Sequence, residues 1–349
     1  MRSIGRSVGR GLRTVAGVVF FFQIIYIICF SAILLWLHSS PQFEGGIMTV
    51  LKPDERLGYS ARPDAEAVYR APSGAQVATI CTSEIGARES CSTDRSADRD
   101  GTNLFIGGSF TFGDGVDRDQ TYAALVSDSM HHLLELHALG GYGLAHFELI
   151  ARRWIPRHRP DCVFIQLSSW SIDRSTRRFS LTFPWTFAVP FYTGDTRLRR
   201  PIGTNRFLRL GQTISSAERT PSWIMRMIWE AVPATVADQW TKVRTMLRSN
   251  QVAPDDQLVD CVLHRITHHA LRFGTQVVVI GIESPVVPGT PGVLFIDASS
   301  ALHQVAGGSD STYEEMFHHA DPETGEFYDS HPNRAAHKLM AVTILQQLR

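Results

Sequence analysis

Short apolar runs alternate with amphipathic segments along most of the chain, and this alternation restricts its fold more than any other feature. The apolar runs are Leu104–Ile106, Leu134–Leu139, Val163–Leu167 and Gln276–Ile282. The segments with helical periodicity are 122–134, 145–154, 255–273 and 334–347. Runs rich in β-branched residues are typical of strands that are buried on both faces of a sheet. The alternation therefore predicts an α/β protein with a parallel sheet and helices on both of its faces.

The first of these strands ends in a turn that is rich in glycine. Gly107 and Gly108 stop the strand, and Ser109 follows them directly. Glycine permits sharp turns that larger residues resist, and open α/β sheets bind ligands beyond the carboxyl ends of their strands. Ser109 is therefore a candidate functional residue. A glycine-rich turn with an incidental serine is the alternative.

A second candidate segment lies near the C-terminus, where Asp329 and His331 precede the last predicted helix. A serine hydroxyl needs a base within hydrogen-bond reach to act as a nucleophile, and a carboxylate behind the base fixes its tautomer. Ser109, His331 and Asp329 therefore form a candidate nucleophile, base and orienting acid. The alternative for His331 is a structural role in the turn.

These two segments resemble the first and last conserved blocks of the SGNH (GDSL-type) hydrolases. The first reads GGSFTFGDG at 107–115, and the last reads YDSHPNRAAHKLMA at 328–341. Between them, 140–143 looks like the glycine segment of the second block, and 161–171 stands where the third block belongs. The resemblance extends from about Leu57 to the C-terminus. It implies a three-layer α/β/α sandwich with a flavodoxin-like parallel sheet.

The resemblance also implies an oxyanion hole, which would stabilise the negative charge that develops during acyl transfer. Its donors would be the backbone N–H groups of Ser109 and of the second-block glycine, together with an asparagine side chain from the third block. Among Gly140, Gly141 and Gly143, we assign the glycine donor to Gly141.

The sequence departs from the family pattern in two blocks. The third block, at 166–173, contains no asparagine, so we assign the third donor to the hydroxyl of Ser171, with Ser169 as the alternative. In the first block, Gly108 stands where the family has an aspartate that is not part of the triad.

The N-terminal segment has the character of a membrane anchor. An apolar run from Val15 to Leu37 carries no charged residue and follows four arginines: Arg2, Arg6, Arg10 and Arg13. Such a run approaches the roughly 20 residues that a helix needs to span a bilayer, and arginines before a span keep that end in the cytoplasm. We expect a cytoplasmic segment at 1–13, a signal anchor at 14–37, and the rest of the chain in the periplasm. A cleaved signal peptide and a buried core helix are the alternatives.

Beyond the anchor, we expect a linker and a small β-rich lead-in at 38–100, then an SGNH-hydrolase-like domain at 101–349. An insertion at 177–250 interrupts this domain and ends in a helix predicted at 222–246. The insertion is rich in aromatic residues and prolines, so we expect 183–192 to form a lid over Ser109. Packing of these aromatics against the sheet or the membrane is the alternative.

Four cysteines beyond the anchor bear on the compartment. Cys81 and Cys91 flank a short polar loop, and we expect them to form a disulfide in an oxidising compartment. Cys162 and Cys261 lie in a predicted strand and a predicted helix, where we interpret both as apolar core residues. Between the first two, Arg88 is expected to form a surface salt bridge.

Several classes of partner are not favoured. The formal net charge is zero, which gives no electrostatic reason to expect nucleic-acid binding. The glycines near Ser109 do not have the spacing of nucleotide-binding loops, so we expect no cofactor. His264 and His268 are four residues apart on a predicted helix, but no third ligand is evident, so we expect a solvated face and no metal site.

The function expected from these features is a membrane-anchored extracytoplasmic esterase. It would act on ester-linked acyl groups of cell-envelope glycans or lipids. The alternatives are an O-acyltransferase and a catalytically reduced SGNH-like domain that binds glycan or assists an assembly. The sequence does not determine the oligomeric state.

Overall fold

The computed structural model describes Cys29 and residues 50–92, 99–182, 185–194, 196–201 and 255–349. Apart from Cys29, the predicted anchor at 14–37 lies outside the described residues, as do the basic segment at 1–13 and the helix predicted at 222–246. No helix within the described part of the chain combines the length and the apolar character needed to span a bilayer.

Five parallel strands form the central sheet. In chain order they are β6 (Gly101–Gly107), β7 (His132–Ala138), β8 (Cys162–Leu167), β13 (Gln276–Gly281) and β14 (Val293–Asp297). Their spatial order is β7-β6-β8-β13-β14, and all four neighbouring pairs are parallel. Counted within the sheet, this is the order 2-1-3-4-5 of flavodoxin-like folds. The predicted parallel sheet is confirmed.

The helices form two groups that cover the two faces of the sheet. The described helices are α1 (Ser109–Phe112), α2 (Tyr122–Ser129), α3 (Leu144–His158), α4 (Ser169–Arg174), α5 (Asp255–Leu271), α6 (Ser299–Val305), α7 (Asp310–Phe317) and α8 (Arg334–Gln347). One group contains α2, α6, α7 and α8, and the other contains α3, α4 and α5. The result is the expected three-layer arrangement.

The middle strands form the centre of the core because most of their buried residues are apolar. Every residue of β8 is buried, and Phe105 of β6 stacks on Phe164 of β8 with ring centroids 4.3 Å apart. Burial of a large apolar side chain stabilises a fold by about 1.5–3 kcal/mol. The sheet interior is therefore also the main source of stability.

The structure differs from the sequence expectation at the second helix. We predicted a helix over 122–134, but α2 ends at Ser129 and β7 begins at His132. His131 between them has a left-handed backbone with φ of 56°, a conformation that ends a helix. Leu133 and Leu134 belong to the edge strand, so their apolar character does not reflect a helix face.

The lead-in segment consists of two small antiparallel sheets. One pairs β1 (Leu51–Asp54) with β2 (Gly58–Ala61), and the other contains β3 (Glu66–Arg70), β4 (Gln76–Thr82) and β5 (Arg88–Glu89). The predicted disulfide between Cys81 and Cys91 is confirmed, with the two Cα atoms 5.2 Å apart. Cys162 is buried as expected, whereas Cys261 is only half-buried.

The described part of the insertion forms short antiparallel pairs. These are β9 (Phe179–Thr182) with β10 (Trp185–Ala188) and β11 (Phe191–Tyr192) with β12 (Leu198–Arg199). Tyr192 is buried in the core, and its hydroxyl donates a 2.5 Å hydrogen bond to Glu148 of α3. This contact fits the packing alternative for Tyr192 better than a lid.

Candidate active site

The turn that carries Ser109 is held in place by a buried glutamine of the neighbouring strand. Gln166 of β8 accepts hydrogen bonds from the backbone N–H groups of Gly108 and Thr111, at 3.0 and 3.2 Å. Its Oε1 also accepts a 2.7 Å bond from the Thr111 hydroxyl. Ser109 itself begins the short helix α1 and is 5% exposed. The candidate nucleophile Ser109 therefore lies on a turn whose backbone is held by a side chain of the neighbouring strand.

Arg88 holds the other end of this turn. Its guanidinium donates to the carbonyls of Phe112, Gly113 and Val116, and its plane covers the Phe112 ring at 4.7 Å. The side chain is 1% exposed. The expectation of a surface salt bridge was wrong, because the planar fork of arginine instead satisfies three backbone oxygens of the Ser109 loop.

The glycine segment forms a tight turn next to Ser109. Tyr142 N–H donates to Leu139 O at 3.2 Å, and Gly141 in the turn has φ of 84°, which favours glycine. A methyl group placed on Gly140 would lie 3.8 Å from Ser109 Cβ. The turn therefore approaches the serine at Gly140, and the assignment of the oxyanion donor to Gly141 remains a prediction.

Tyrosines from the lead-in and from the turn itself brace this glycine segment. The hydroxyl of Tyr59 in β2 donates to Gly140 O at 2.6 Å. In return, the hydroxyl of Tyr142 donates to Tyr59 O at 2.8 Å. The small lead-in sheet is therefore part of the support of the site.

The histidine and aspartate near the C-terminus form a close pair. His331 Nδ1 lies 2.5 Å from Asp329 Oδ1, and the backbone N–H of His331 donates to the same oxygen at 3.1 Å. The hydroxyl of Tyr69 in β3 donates to Asp329 Oδ2. Burial would raise the pKa of Asp329, but the hydrogen bonds from His331 and Tyr69 lower it to about 2. Asp329 is therefore an ionised acceptor at neutral pH.

Asn333 follows the Pro332 that comes after His331, and both ends of its side-chain amide make hydrogen bonds. Its side-chain oxygen caps helix α8 by accepting from the N–H groups of Ala335 and Ala336, at 2.9 and 3.1 Å. Its amide nitrogen donates to the carbonyls of Met316 and His318, at 3.0 and 2.9 Å. Asn333 thus ties the His331 loop to the start of α8 and to the end of α7.

A second carboxylate, which the sequence analysis did not single out, faces the other ring nitrogen of His331. Asp114 Oδ2 lies 3.7 Å from His331 Nε2, and a methyl group placed on Gly140 would lie 3.6 Å from the same oxygen. Burial raises the pKa of Asp114 to about 6, although the charges of His331, Arg88 and Arg174 lower it. Burial would lower the pKa of His331, but its hydrogen bond with Asp329 and the charge of Asp114 raise it.

Ser109, Asp114 and His331 therefore come together around the glycine turn. The His331 ring also contacts the ring of Phe110, the residue after Ser109, with centroids 5.4 Å apart. Within the described part of the chain, no hydrogen bond joins Ser109 to His331. Catalytic hydrogen bonds are often long in ligand-free enzymes and tighten when substrate binds. The direct Ser109–His331 contact remains a prediction.

The third-block assignment needs a correction. The hydroxyl of Ser171 donates to Ser168 O at 2.7 Å and accepts from Ser168 N–H at 2.9 Å. Ser171 is completely buried in this capping arrangement, so its single hydrogen is not directed at a substrate. Arg174, at the end of the same helix α4, is a basic residue next to the Ser109 turn. Its Nη1 would lie 3.8 Å from a methyl group placed on Gly108.

The site lies where the strand order of the sheet reverses. Ser109 follows β6, and its neighbours on either side in the sheet are β7 and β8. Open α/β sheets bind ligands at this switch point, outside the carboxyl ends of the strands. The position of the site is therefore the one that the topology favours.

Comparison with known proteins gives structural similarities only. No protein-family model and no curated protein matches the chain. Among solved structures, the chain is similar to a lipolytic protein of the G-D-S-L family from Desulfitobacterium hafniense (10% identity, 71% of this chain and 99% of that chain, TM-score 0.36). It is also similar to a catalytic mutant of an acetylxylan esterase from Geobacillus stearothermophilus (12% identity, 72% and 95%, TM-score 0.36).

A third similar structure is an alpha/beta hydrolase from the metagenome of Lake Arreo, Spain (10% identity, 72% and 96%, TM-score 0.38). TM-scores and identities this low carry no argument about activity. The central sheet of this chain has the flavodoxin-like strand order 2-1-3-4-5. A serine follows its first strand, and an Asp-x-His segment precedes the last helix, which are the features in which the sequence resembles the SGNH hydrolases.

Proposed function

We propose that this protein is a serine esterase that hydrolyses ester-linked acyl groups. The observation that carries the proposal is the His331–Asp329 pair, which lies beside Phe110 of the Ser109 turn and whose Nε2 faces Asp114. The site residues in this proposal are Ser109, Gly141, Asp329 and His331.

The mechanism follows from the roles that these positions allow. Ser109 Oγ attacks the acyl carbonyl carbon, and its proton passes to His331 Nε2. Asp329 holds the Nδ1–H and stabilises the imidazolium. The backbone N–H groups of Ser109 and Gly141 bind the oxyanion. The tetrahedral intermediate expels the alcohol, which takes the proton from His331, and water then releases the acid from the acyl-enzyme.

We also propose that the enzyme is anchored in the inner membrane and faces the periplasm. The arginine-rich start, the uncharged run before residue 38 and the Cys81–Cys91 disulfide support this location, since disulfides persist in oxidising compartments. Esters on envelope glycans or lipids are the substrates that this location makes accessible.

The alternative is a catalytically reduced domain that binds such an ester without turning it over. The buried Ser171 hydroxyl favours it, because the third oxyanion donor of the family has no counterpart at this position. Removing one such donor costs about 10²–10³-fold in rate. We therefore expect slow turnover of simple esters.

The test uses the full-length protein in detergent with a fluorophosphonate probe and with p-nitrophenyl acetate. The variants are Ser109→Ala and His331→Ala, with Ser129→Ala as the control because its hydroxyl lies exposed at the end of α2. We expect labelling at Ser109 in the wild type and in the control, and none in Ser109→Ala. We expect His331→Ala to slow hydrolysis by about 10²–10⁴-fold, the usual contribution of a general base.

Equal hydrolysis rates in all four proteins, with no labelling at Ser109, would leave the binding domain as the better account. Adding a sugar as acceptor separates the two acyl-transfer activities. Formation of an acylated sugar at the expense of free acid would identify an O-acyltransferase.

A further inference from the structure

Three metal-ligating side chains converge outside the proposed active site. Glu135 and His137 lie two residues apart on β7, so they share one face of the strand, and His158 is the last residue of α3. One potential ligand atom from each lies within 4.8 Å of the other two. His137 Nε2 is 3.6 Å from Glu135 Oε2, and His158 Nδ1 is 3.7 Å from Glu135 Oε1.

The buried member of this cluster has an unsatisfied nitrogen. The side chain of His137 is 7% exposed, and its Nε2 has no hydrogen-bond partner within the described part of the chain. Burial lowers the pKa of His137, whereas the nearby Glu135 raises it. A buried polar atom without a partner is costly, and a bound ion would remove that cost.

The two imidazoles are held in position by one tryptophan. The ring of Trp154 stacks on His137 with centroids 4.4 Å apart and lies 5.1 Å from His158. Glu135 and His158 are partly exposed, at 26% and 22%, so they have room to adjust. The cluster thus combines a fixed buried ligand with two adjustable ones that border solvent.

We propose that Glu135, His137 and His158 bind a divalent transition-metal ion, with Zn²⁺ as the favoured ion. Zinc–ligand bonds of about 2.0–2.1 Å in a tetrahedral site place ligand atoms about 3.3 Å apart, so the three ligand atoms, which now lie within 4.8 Å of one another, would move closer together on binding. Imidazole and carboxylate donors suit Zn²⁺, and two histidines with one carboxylate leave a fourth position for water.

Such an ion would link the two elements that flank the glycine turn. Strand β7 leads into this turn and helix α3 leaves it, so a bridge from β7 to the end of α3 would close the segment that contains Gly140 and Gly141. The proposed role of the metal is structural, and it does not depend on the esterase proposal.

Two neighbouring charges oppose the ion. The guanidinium groups of Arg153 and Arg157 lie 4.7 and 5.5 Å from the centroid of the Trp154 ring, which stacks on His137. Glu135 supplies the compensating negative charge. Replacement of Arg153 by glutamine is therefore expected to strengthen metal binding.

The test is titration of the metal-free, full-length protein, without a histidine tag, with Co²⁺ followed by its visible spectrum and with Zn²⁺ by calorimetry. We expect one Zn²⁺ per chain and a rise in melting temperature, because a ligand that binds only the folded state stabilises it. Glu135→Gln and His158→Gln change partly exposed side chains and should leave the fold intact. Each should weaken binding by more than about tenfold, and Arg153→Gln should tighten it.

The control is the double variant His264→Gln/His268→Gln, which removes the exposed histidine pair on α5, whose ring centroids lie 6.5 Å apart. Its affinity for Zn²⁺ should equal that of the wild type. Absence of saturable binding to the wild type would overturn the proposal. Loss of binding in the α5 double variant, with full affinity in His158→Gln, would also overturn it.

Discussion

His331 lies between two carboxylates whose ionisation differs. Asp329 on the Nδ1 side accepts hydrogen bonds from His331 and Tyr69. These bonds lower its pKa to about 2, although burial alone would raise it. Asp114 on the Nε2 side is buried, its Oδ1 has no partner among the described residues, and its pKa rises to about 6. Asp114 therefore gains or loses its charge in the range where histidine usually titrates, and it affects the same imidazole.

Replacing Asp114 by asparagine should shift the acidic limb of the pH–rate profile to lower pH. The charges that face His331 are Asp329 and Asp114, which raise its pKa, and Arg174, which lowers it. Loss of the Asp114 charge lowers the pKa of His331, so the neutral base form persists to lower pH. The measurement is kcat/KM for p-nitrophenyl acetate across the pH range.

The matched control is Asp119→Asn, which removes an exposed carboxylate that pairs with Arg118. It should leave the profile in place. An acidic limb that stays fixed or moves to higher pH in Asp114→Asn would show that Asp114 does not act on His331.

At the scale of elements, the Ser109 loop depends on groups that come from distant parts of the chain. Gln166 of β8 binds its start, and Arg88 of β5 binds its end. Burial lowers the pKa of Arg88 to about 10, so the guanidinium stays charged at neutral pH. Charged donors make stronger hydrogen bonds than neutral ones, which makes Arg88 the firmer of the two supports.

Arg88→Met should lower both stability and activity. The change leaves the carbonyls of Phe112 and Val116 without their side-chain donor, whereas Gly113 O still accepts from Val116 N–H at 3.2 Å. Each buried oxygen without a partner costs about 1–3 kcal/mol. We expect the free energy of unfolding in urea to fall by at least about 2 kcal/mol. For ester hydrolysis, we expect kcat to fall and KM to change less than kcat.

The control here is Arg272→Met, which changes an exposed arginine after helix α5. Arg88→Lys should retain only part of the stability, because lysine lacks the planar fork that reaches several carbonyls. An unfolding free energy equal to that of the wild type in Arg88→Met would contradict the anchoring role.

The elements that were predicted correctly are those whose own residue pattern indicates a strand or a helix. Strands β6, β8 and β13 carry apolar runs, and the predicted bounds of the last helix agree with α8. The edge strand β14 was missed although its first four residues are apolar, and within it only Ile296 is fully buried. Helix α2 was predicted too long because apolar residues of the following strand continue its pattern.

The site was only partly predictable, because its supports come from tertiary contacts. Residues Ser109, Asp329 and His331 stand in recognisable motifs. By contrast, the contact from Tyr69 to Asp329 spans 260 residues of sequence, and no local pattern indicates it. Ser171 was assigned as a donor from its block position, whereas its hydroxyl is used in a capping arrangement that depends on the local helix geometry.

At the scale of the whole molecule, the lead-in and the α/β domain form one unit. Tyr59, Tyr69 and Arg88 all come from the lead-in, and they contact the glycine turn, Asp329 and the Ser109 loop respectively. The Cys81–Cys91 disulfide closes the segment that contains Arg88. Folding of the site therefore depends on a segment that would form its disulfide in an oxidising compartment, and this dependence links the proposed location of the protein to its proposed activity.

A reporter fusion tests that link. We expect alkaline phosphatase fused after residue 45 to be active and green fluorescent protein fused there to be dark, because the arginines before the apolar run hold the N-terminus in the cytoplasm. Replacing Arg2, Arg6, Arg10 and Arg13 together by asparagine should reduce the phosphatase signal. Mass spectrometry of the non-reduced full-length protein should show Cys81 and Cys91 joined. A cytoplasmic reporter signal together with free thiols at both positions would refute the proposed location, while the esterase proposal would still be decided by the Ser109 variants.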